Sequence, residues 1–478
     1  MSTSKLFSNS LFYTIIGLFP VALGFFTLPV LTRYLTPDDY GTLALISTFI
    51  STLSIAATFQ LYSGVSRFFF DYDDANKKIY FSTLFYSITA ISLVVLFVLC
   101  ICGEAIIGVM FKTELVFYPY IFIAMLNVFF SLPLGVTTAF FKVQEKGRPL
   151  LYISTFSSIV GVASTLYLVV GVGLGMLGSL VGSLITLVVA YVLHILHLRK
   201  SFVFAYSASM FFSNLKFGIP VIPHAIGGYL FMYSDKLILD KHVAIAAIGI
   251  YAIADRFASL YKTVVNSFAG ALSPLFMRAS KQTIKEGQTF VLQVSGPWFI
   301  ALGLGYFALC NFGEYVVYIM TPTQYHEASQ LIPILAMAYV FRGIYIFPIN
   351  TFYFSKNTKY LPIATVTSGV LNVVLNLVLI PIYGIKGAAV TTVISFAFNW
   401  LALEWLTVKT FRLKYNKQAM ALLFCMLALT NLLFYGVSSD NNLVRLGIQS
   451  ATFISILLAV YILNIAGVKS LLHHRALV

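Results

Sequence analysis

Asp255, Ser259, Lys262 and Asn266 stand four, three and four residues apart in an otherwise apolar stretch, so a helix presents them along one face. Ionisable groups are costly in hydrocarbon and face a bundle interior or a wet cavity there. A carboxylate and an amine on such a face hold and release a charged solute, which is binding chemistry rather than bond chemistry. Arg256 is offset by one position. Arg342, eight residues before Asn350, offers a guanidinium that can pair bidentately with an oxyanion, or else lock its bundle or snorkel. His224 follows Pro220 and Pro223, and an imidazole titrates near neutral pH. Asp255 and His224 are the candidates for coupling to a proton or sodium ion, with hydrogen-bonded packing as the alternative for the histidine.

These residues need helices that cross a membrane to position them. The chain has 478 residues, 59% of them apolar and only 10% charged, with a mean hydropathy of +0.91, so it cannot build a water-soluble surface. At about 34 residues per span and loop, its length allows fourteen helices and leaves nothing for a soluble catalytic domain. Apolar runs place spans near 11–32, 42–66, 79–102, 117–140, 150–171 and 175–196. The second half adds 217–236, 246–272, 290–310, 328–352, 361–382, 387–407, 418–437 and 445–466. The first run lacks an Ala-x-Ala-like site, so no cleavable signal peptide is expected. Cys100, Cys102, Cys310 and Cys425 lie in or beside apolar runs and read as small hydrophobes, with no metal-ligand spacing.

The net charge of +14 is scattered between apolar runs rather than gathered on one face, which points away from nucleic acid. With alternate loops summed, 21 Lys/Arg fall on the side of both termini, 6 fall opposite and Arg256, Lys262 and Arg342 fall within spans. Both termini are therefore expected in the cytoplasm.

Two stretches about 208 residues apart repeat one another. Tyr40-Gly41-Thr42-Leu43-Ala44 matches Ile248-Gly249-Ile250-Tyr251-Ala252, with Arg33 matching Lys241 at the same offset. Gly173-Leu174-Gly175-Met176-Leu177-Gly178 matches Tyr383-Gly384-Ile385-Lys386-Gly387 at an offset of 209. Six spans separate the copies, and an even number keeps orientation, so the repeat is parallel. The expected fold is an all-α polytopic membrane protein of about fourteen transmembrane helices. It would have a six-helix lobe over 1–200, a second over 201–412, and two further helices with a short cytoplasmic tail over 413–478. Moving the Asp255 stripe back by 208 lands on Ser47, Ser51, Ser54 and Thr58, all hydroxyl residues. The second and eighth spans are thus expected to line a central lumen, with ordinary helix packing as the competing role for the hydroxyls.

The run Leu31-Thr32-Arg33-Tyr34-Leu35-Thr36-Pro37-Asp38-Asp39-Tyr40-Gly41 resembles the loop after the first helix of prokaryotic polysaccharide-unit flippases. These belong to the multidrug/oligosaccharidyl-lipid/polysaccharide exporter (MOP) superfamily. Lys216-Phe217-Gly218-Ile219-Pro220 with Pro223, Ser234-Asp235-Lys236, Ile248-Gly249-Ile250-Tyr251 and Tyr383-Gly384-Ile385-Lys386-Gly387-Ala388-Ala389 extend the resemblance across most of the chain. It implies alternating-access transfer of an undecaprenyl-diphosphate-linked oligosaccharide to the outer leaflet of the prokaryotic inner membrane. It also implies a surface-polysaccharide context with polymerase machinery as a further partner.

Arg67 and the cluster Lys142, Lys146 and Arg148 fall where lipid headgroups would lie, guiding an anionic lipid inward or simply fixing orientation. Asp71-Tyr72-Asp73-Asp74 has a metal-nucleotide-like spacing but reads as a solvated turn. Asn372 and Asn376 read as contacts to a neighbouring helix. No Walker A, HExxH, Ser-His-Asp or Rossmann pattern occurs, so neither an enzyme nor a cofactor is expected, and no metal site. Three alternatives stay open. A drug or metabolite antiporter of the superfamily resembles twelve helices. A peptidoglycan-precursor flippase resembles fourteen but carries charges in its first span, where this chain has none between Lys5 and Arg33. A membrane glycan polymerase or ligase resembles its relatives in a large outer loop, whereas the segments 103–116 and 311–327 are short.

Overall fold

In a computed structural model the described residues are 3–355, 357, 360–407, 411–436 and 442–462, and among them helix predominates and no strand occurs. Lys356, Lys359, Lys409, Lys469 and Arg475 of the charge count, and the tail at 463–478, lie outside the described residues.

The chain opens with α1 (Thr3–Phe26) and α2 (Leu28–Tyr34), followed by α3 (Pro37–Ala57), α4 (Val65–Phe68) and α5 (Asp74–Met110). Next come α6 (Phe122–Val143), α7 (Gly147–Leu166), α8 (Gly175–Leu198), α9 (Ala208–Gly218) and α10 (Ile222–His242). The remainder is α11 (Ile245–Gln282), α12 (Ile284–Met320), α13 (Ala328–Phe354), α14 (Tyr360–Thr407), α15 (Lys417–Gly436) and α16 (Asn442–Ile462). Among the described residues eleven helices are long and apolar enough to cross a membrane, or twelve if the bent pair Ile15–Phe26 and Leu28–Tyr34 is one span. The expected fourteen differs at two places. The apolar run of α11 is interrupted by Asp255, Arg256 and Lys262, and α14 counts once although it carries two expected spans on either side of Gly384.

Local chemistry sets the ends of these helices. Thr36 accepts a hydrogen bond from the Asp39 amide while the Asp39 carboxylate accepts one from the Thr36 amide at 2.8 Å, with Pro37 following the cap. The Thr-Pro-Asp-Asp run is therefore a capping box, with two acids in the positive first turn of α3. Asp73 caps α5 through the Asn76 amide, Asp71 pairs with Arg67 at 2.7 Å and Asp74 with Lys77 at 3.0 Å. The four-residue acidic run is thus a cap with local ion pairs. Gly175 and Gly384, 209 residues apart, both hold positive φ, +53° and +55°. Only glycine takes this conformation without strain, so the repeat preserves backbone geometry as well as residue type.

The chain packs as two compact units. One comprises residues 1–252 with 373–385, the other 253–372 with 386–478. These units follow packing, whereas the expected lobes 1–200 and 201–412 rest on sequence symmetry.

The first unit has a core of Leu61, Val65, Tyr80, Phe81, Phe140 and Phe141. The Tyr80 hydroxyl donates to Asn214 Oδ1, and Asn214 donates to the Leu61 carbonyl, each at 2.6 Å, so a buried polar triplet ties α5 to α9. Repeat-related glycines meet here. A Cβ built on Gly41 would overlap the Ile245 carbonyl oxygen, and one built on Gly249 would overlap the Pro37 carbonyl oxygen and lie 2.9 Å from the Gly41 amide nitrogen. The contact is reciprocal, because Ile245 and Gly249 are the 208-offset counterparts of Pro37 and Gly41.

In the second unit α15 and α16 pack on α12. Trp298 of α12 stacks on Phe268 with centroids 3.6 Å apart and donates to the Gly343 carbonyl at 2.9 Å. Arg445 of α16 pairs with Glu314 of α12 at 3.0 Å, donates to the Phe434 carbonyl and lies over the Phe434 ring. The pair is mostly buried, so Arg445→Ala is expected to loosen α16 by roughly 1–3 kcal/mol. Earlier proteolytic release of the C-terminal segment would register it, and an unchanged digestion profile would refute it.

Candidate functional site

In the second unit the four-residue stripe of α11 meets α13. The Tyr339 hydroxyl donates to Asp255 Oδ1 at 3.0 Å, and the Lys262 ammonium lies 5.7 Å from the centre of the Tyr339 ring. One turn further along α13, Arg342 Nε donates to Asn266 Oδ1 at 3.1 Å. The stripe and the arginine, assigned separately from sequence, thus form one strip with Tyr339 at its centre. Asp255, Ser259, Lys262 and Arg342 are half-buried, while Arg256 and Asn266 are exposed. The Ser259 hydroxyl donates to the Arg256 carbonyl at 2.7 Å, so its donor is satisfied within α11. With Lys262 and Arg342 against the single carboxylate of Asp255, the strip favours an anion.

The hydroxyl stripe of α3 lies in the first unit. Ser47 donates to the Leu43 carbonyl at 2.7 Å, Ser51 to the Ser47 carbonyl at 2.8 Å and Thr58 to the Ile55 carbonyl at 3.3 Å. These protons are satisfied by the helix itself, which leaves oxygen lone pairs to offer. Ser47 is exposed, Ser51 and Ser54 are half-buried and Thr58 is buried. The contact from α3 to α10 is made by Thr52, whose hydroxyl bonds that of Tyr229. His224 is half-buried near the start of α10, with Nδ1 buried and lacking a hydrogen-bond partner. Pro220 and Pro223 sit at the break between α9 and α10, where a short 3₁₀ turn, Ile219–Val221, intervenes. Arg67 lies over the Phe68 ring, and Lys142 and Arg148 are exposed with Lys146 half-buried between them.

One cluster was missed as a site. The apolar run 217–236 ends at Lys236, which by hydropathy places this lysine at the edge of a loop. The α10 helix continues to His242, and Lys236 is packed 3.6 Å from Asp235, with side-chain exposures of 12% and 9%. Tyr251 donates to Asp235 Oδ2 at 2.7 Å, and the ammonium lies 5.8 Å and 5.6 Å from the Tyr233 and Tyr251 ring centres. Asn376 of α14 donates to Ser234 at 3.4 Å, while Asn372 donates to Ser395 within α14 at 3.3 Å. The signal lay in the adjacent acid and base of Ser234-Asp235-Lys236 directly after Tyr233. Tyr251→Phe removes a donor to a buried carboxylate and is expected to lower stability by about 1–3 kcal/mol. Thermal unfolding of the purified protein measures this, and an unaltered midpoint would count against the network.

Comparison with known proteins agrees with this architecture. The sequence model of a polysaccharide biosynthesis protein family matches residues 6–280, more than half of the chain. The chain is 25% identical over 288 residues to Lsg locus putative protein 1 of Haemophilus influenzae, covering 58% of this chain and 67% of that one. It is 26% identical over 176 residues to the probable low-salt glycan biosynthesis flippase Agl15 of Haloferax volcanii, covering 37% of each. Its fold superposes on that of the lipid II flippase MurJ, inward closed conformation, with a TM-score of 0.72 at 16% identity over 95% of this chain and 98% of that one. It also superposes on an inward-facing multidrug resistance MATE family transporter of the MOP superfamily, with a TM-score of 0.69 at 13% identity over 83% and 98%. The fold is thus the one shared by these multi-span membrane transporters. The chain belongs to the polysaccharide biosynthesis protein family.

Proposed function

We propose that this protein flips an undecaprenyl-diphosphate-linked oligosaccharide unit from the cytoplasmic to the outer leaflet by alternating access, for surface polysaccharide biosynthesis. The carrying observation is the strip on α11 and α13, where Lys262 and Arg342 stand with Tyr339, Asp255 and Asn266 in a membrane-spanning helix pair. A diphosphate in hydrocarbon is prohibitively unfavourable, and paired cations with hydrogen-bond partners offset its desolvation. Asn266 orients the Arg342 guanidinium, and Tyr339 links Asp255, through its hydroxyl, with Lys262, which lies by its ring two turns along α11. Binding stays modest because Asp255 partly neutralises the amine, which permits release. Asp255 and His224 are the groups proposed to couple transfer to a proton or sodium ion.

The proposed setting is a prokaryotic inner membrane with both termini cytoplasmic and polysaccharide polymerase machinery nearby. We read α11 and each limb of α14 as spans, which makes fourteen: six in each of two lobes, 1–200 and 201–412, and two appended. Coverage of 95% on the lipid II flippase structure against 83% on the multidrug transporter supports the flippase over the antiporter reading.

Deleting the gene and locating lipid-linked units by leaflet is the deciding experiment. Accumulation on the cytoplasmic side is expected. Unpolymerised units exposed on the outer side would instead identify a polymerase.

A further inference from the structure

We propose that a cavity within the first unit binds an anionic phospholipid of the bilayer, with an acyl chain in the cavity and the phosphate on Lys142. The α1 helix packs along α7, and a cavity of about 340 Å³ lies among α1, α6, α7 and α8. Gly17, Leu134, Leu150, Ser154 and His194 line its body, and Lys142 stands at the C-terminal end of α6. A Cβ added to Gly17 would meet no atom within 4 Å, so α1 leaves a notch where a side chain would otherwise fill the space.

The occupant follows from the walls. A water needs two to four polar partners. Two of the polar groups along these walls are already engaged. His194 is buried with Nδ1 2.6 Å from the Thr137 hydroxyl, and the Ser157 hydroxyl donates to the Ser154 carbonyl at 3.2 Å. A largely apolar space in a bilayer is filled by hydrocarbon, which gains dispersion contacts that a void would forfeit.

The mouth is cationic. Lys142 is exposed, and Lys146 and Arg148 follow within six residues against the single acid Glu145. A chain in the cavity therefore brings its headgroup to a positive end, which complements a phosphate monoanion. Lys142 lies on the side that the Lys/Arg count assigns to the cytoplasm, so the lipid comes from the inner leaflet. This site is separate from the α11 and α13 strip and does not depend on the transport reading.

The test uses the full chain in nanodiscs of phosphatidylethanolamine with a phosphatidylglycerol bearing a photoreactive group on its acyl chain. Crosslinks are expected to concentrate on peptides spanning 134–157, with excess phosphatidylglycerol competing and phosphatidylcholine failing to compete. Gly17→Leu and Ser154→Leu fill the cavity from different helices, and each should cut the yield at least five-fold while the gel-filtration profile is kept. Lys142→Ala should cut it at least three-fold, and Lys142→Arg should restore it. Labelling spread evenly over the helical surface, yields unchanged by both filling variants, or competition by a polyprenyl diphosphate in place of phosphatidylglycerol would each overturn the proposal.

Discussion

Gly41→Val and Gly249→Val are each expected to abolish accumulation of folded protein in the membrane, a loss above about 3 kcal/mol. At each position the obstacle is a carbonyl of the opposing helix start, Ile245 for Gly41 and Pro37 for Gly249. A flexible side chain could swing aside, whereas these carbonyls belong to the first turns of α11 and α3, one of them fixed by the Thr36 capping box. Alanine should lower stability by roughly 1–3 kcal/mol at either site, because a single methyl already overlaps backbone. Gly228→Ala serves as the control, since its added Cβ meets nothing within 4 Å and should leave the unfolding temperature in place. Equal behaviour of all three alanine variants would show that the reciprocal glycine contact does not bear on stability.

The second large effect is on transport. Lys262→Ala and Arg342→Ala should each lower surface-glycan complementation about ten- to a hundred-fold, as loss of a charge-assisted contact worth roughly 1.5–3 kcal/mol would do. Asp255→Asn keeps a hydrogen-bond acceptor for Tyr339 but removes the charge beside Lys262, so transport should fall through tighter holding or lost coupling. Tyr339→Phe removes only one neutral donor and should cost about five-fold. Membrane abundance measured in parallel separates these losses from misfolding. Normal glycan in Lys262→Ala, Arg342→Ala and Asp255→Asn together would sink the assignment of the strip.

Much of this was legible locally. The α11 stripe shows in the four-three-four spacing because helical periodicity relates neighbours without any tertiary information. The start of α3 did not show: the apolar run begins at 42, whereas the Thr36 capping box starts the helix at Pro37, because hydropathy does not register a polar first turn. Lys236 did not show, because hydropathy marks where an apolar run fades and not where hydrogen bonding ends, and α10 runs on past it. Tyr339 was missed for another reason. Tyrosine is common in apolar spans, and its role depends on a carboxylate 84 residues away.

Composition and spacing therefore determined a bundle of membrane helices and the polar, ionic face of α11, since both follow from short-range periodicity and the exclusion of charge from hydrocarbon. Tertiary packing alone decided that Tyr339 and Arg342 complete that face, that Asp235 and Lys236 pair among tyrosines, and that Gly41 and Gly249 are pressed against one another's helix starts. Such contacts join residues far apart in the chain, and their geometry exists only once the helices have chosen their neighbours.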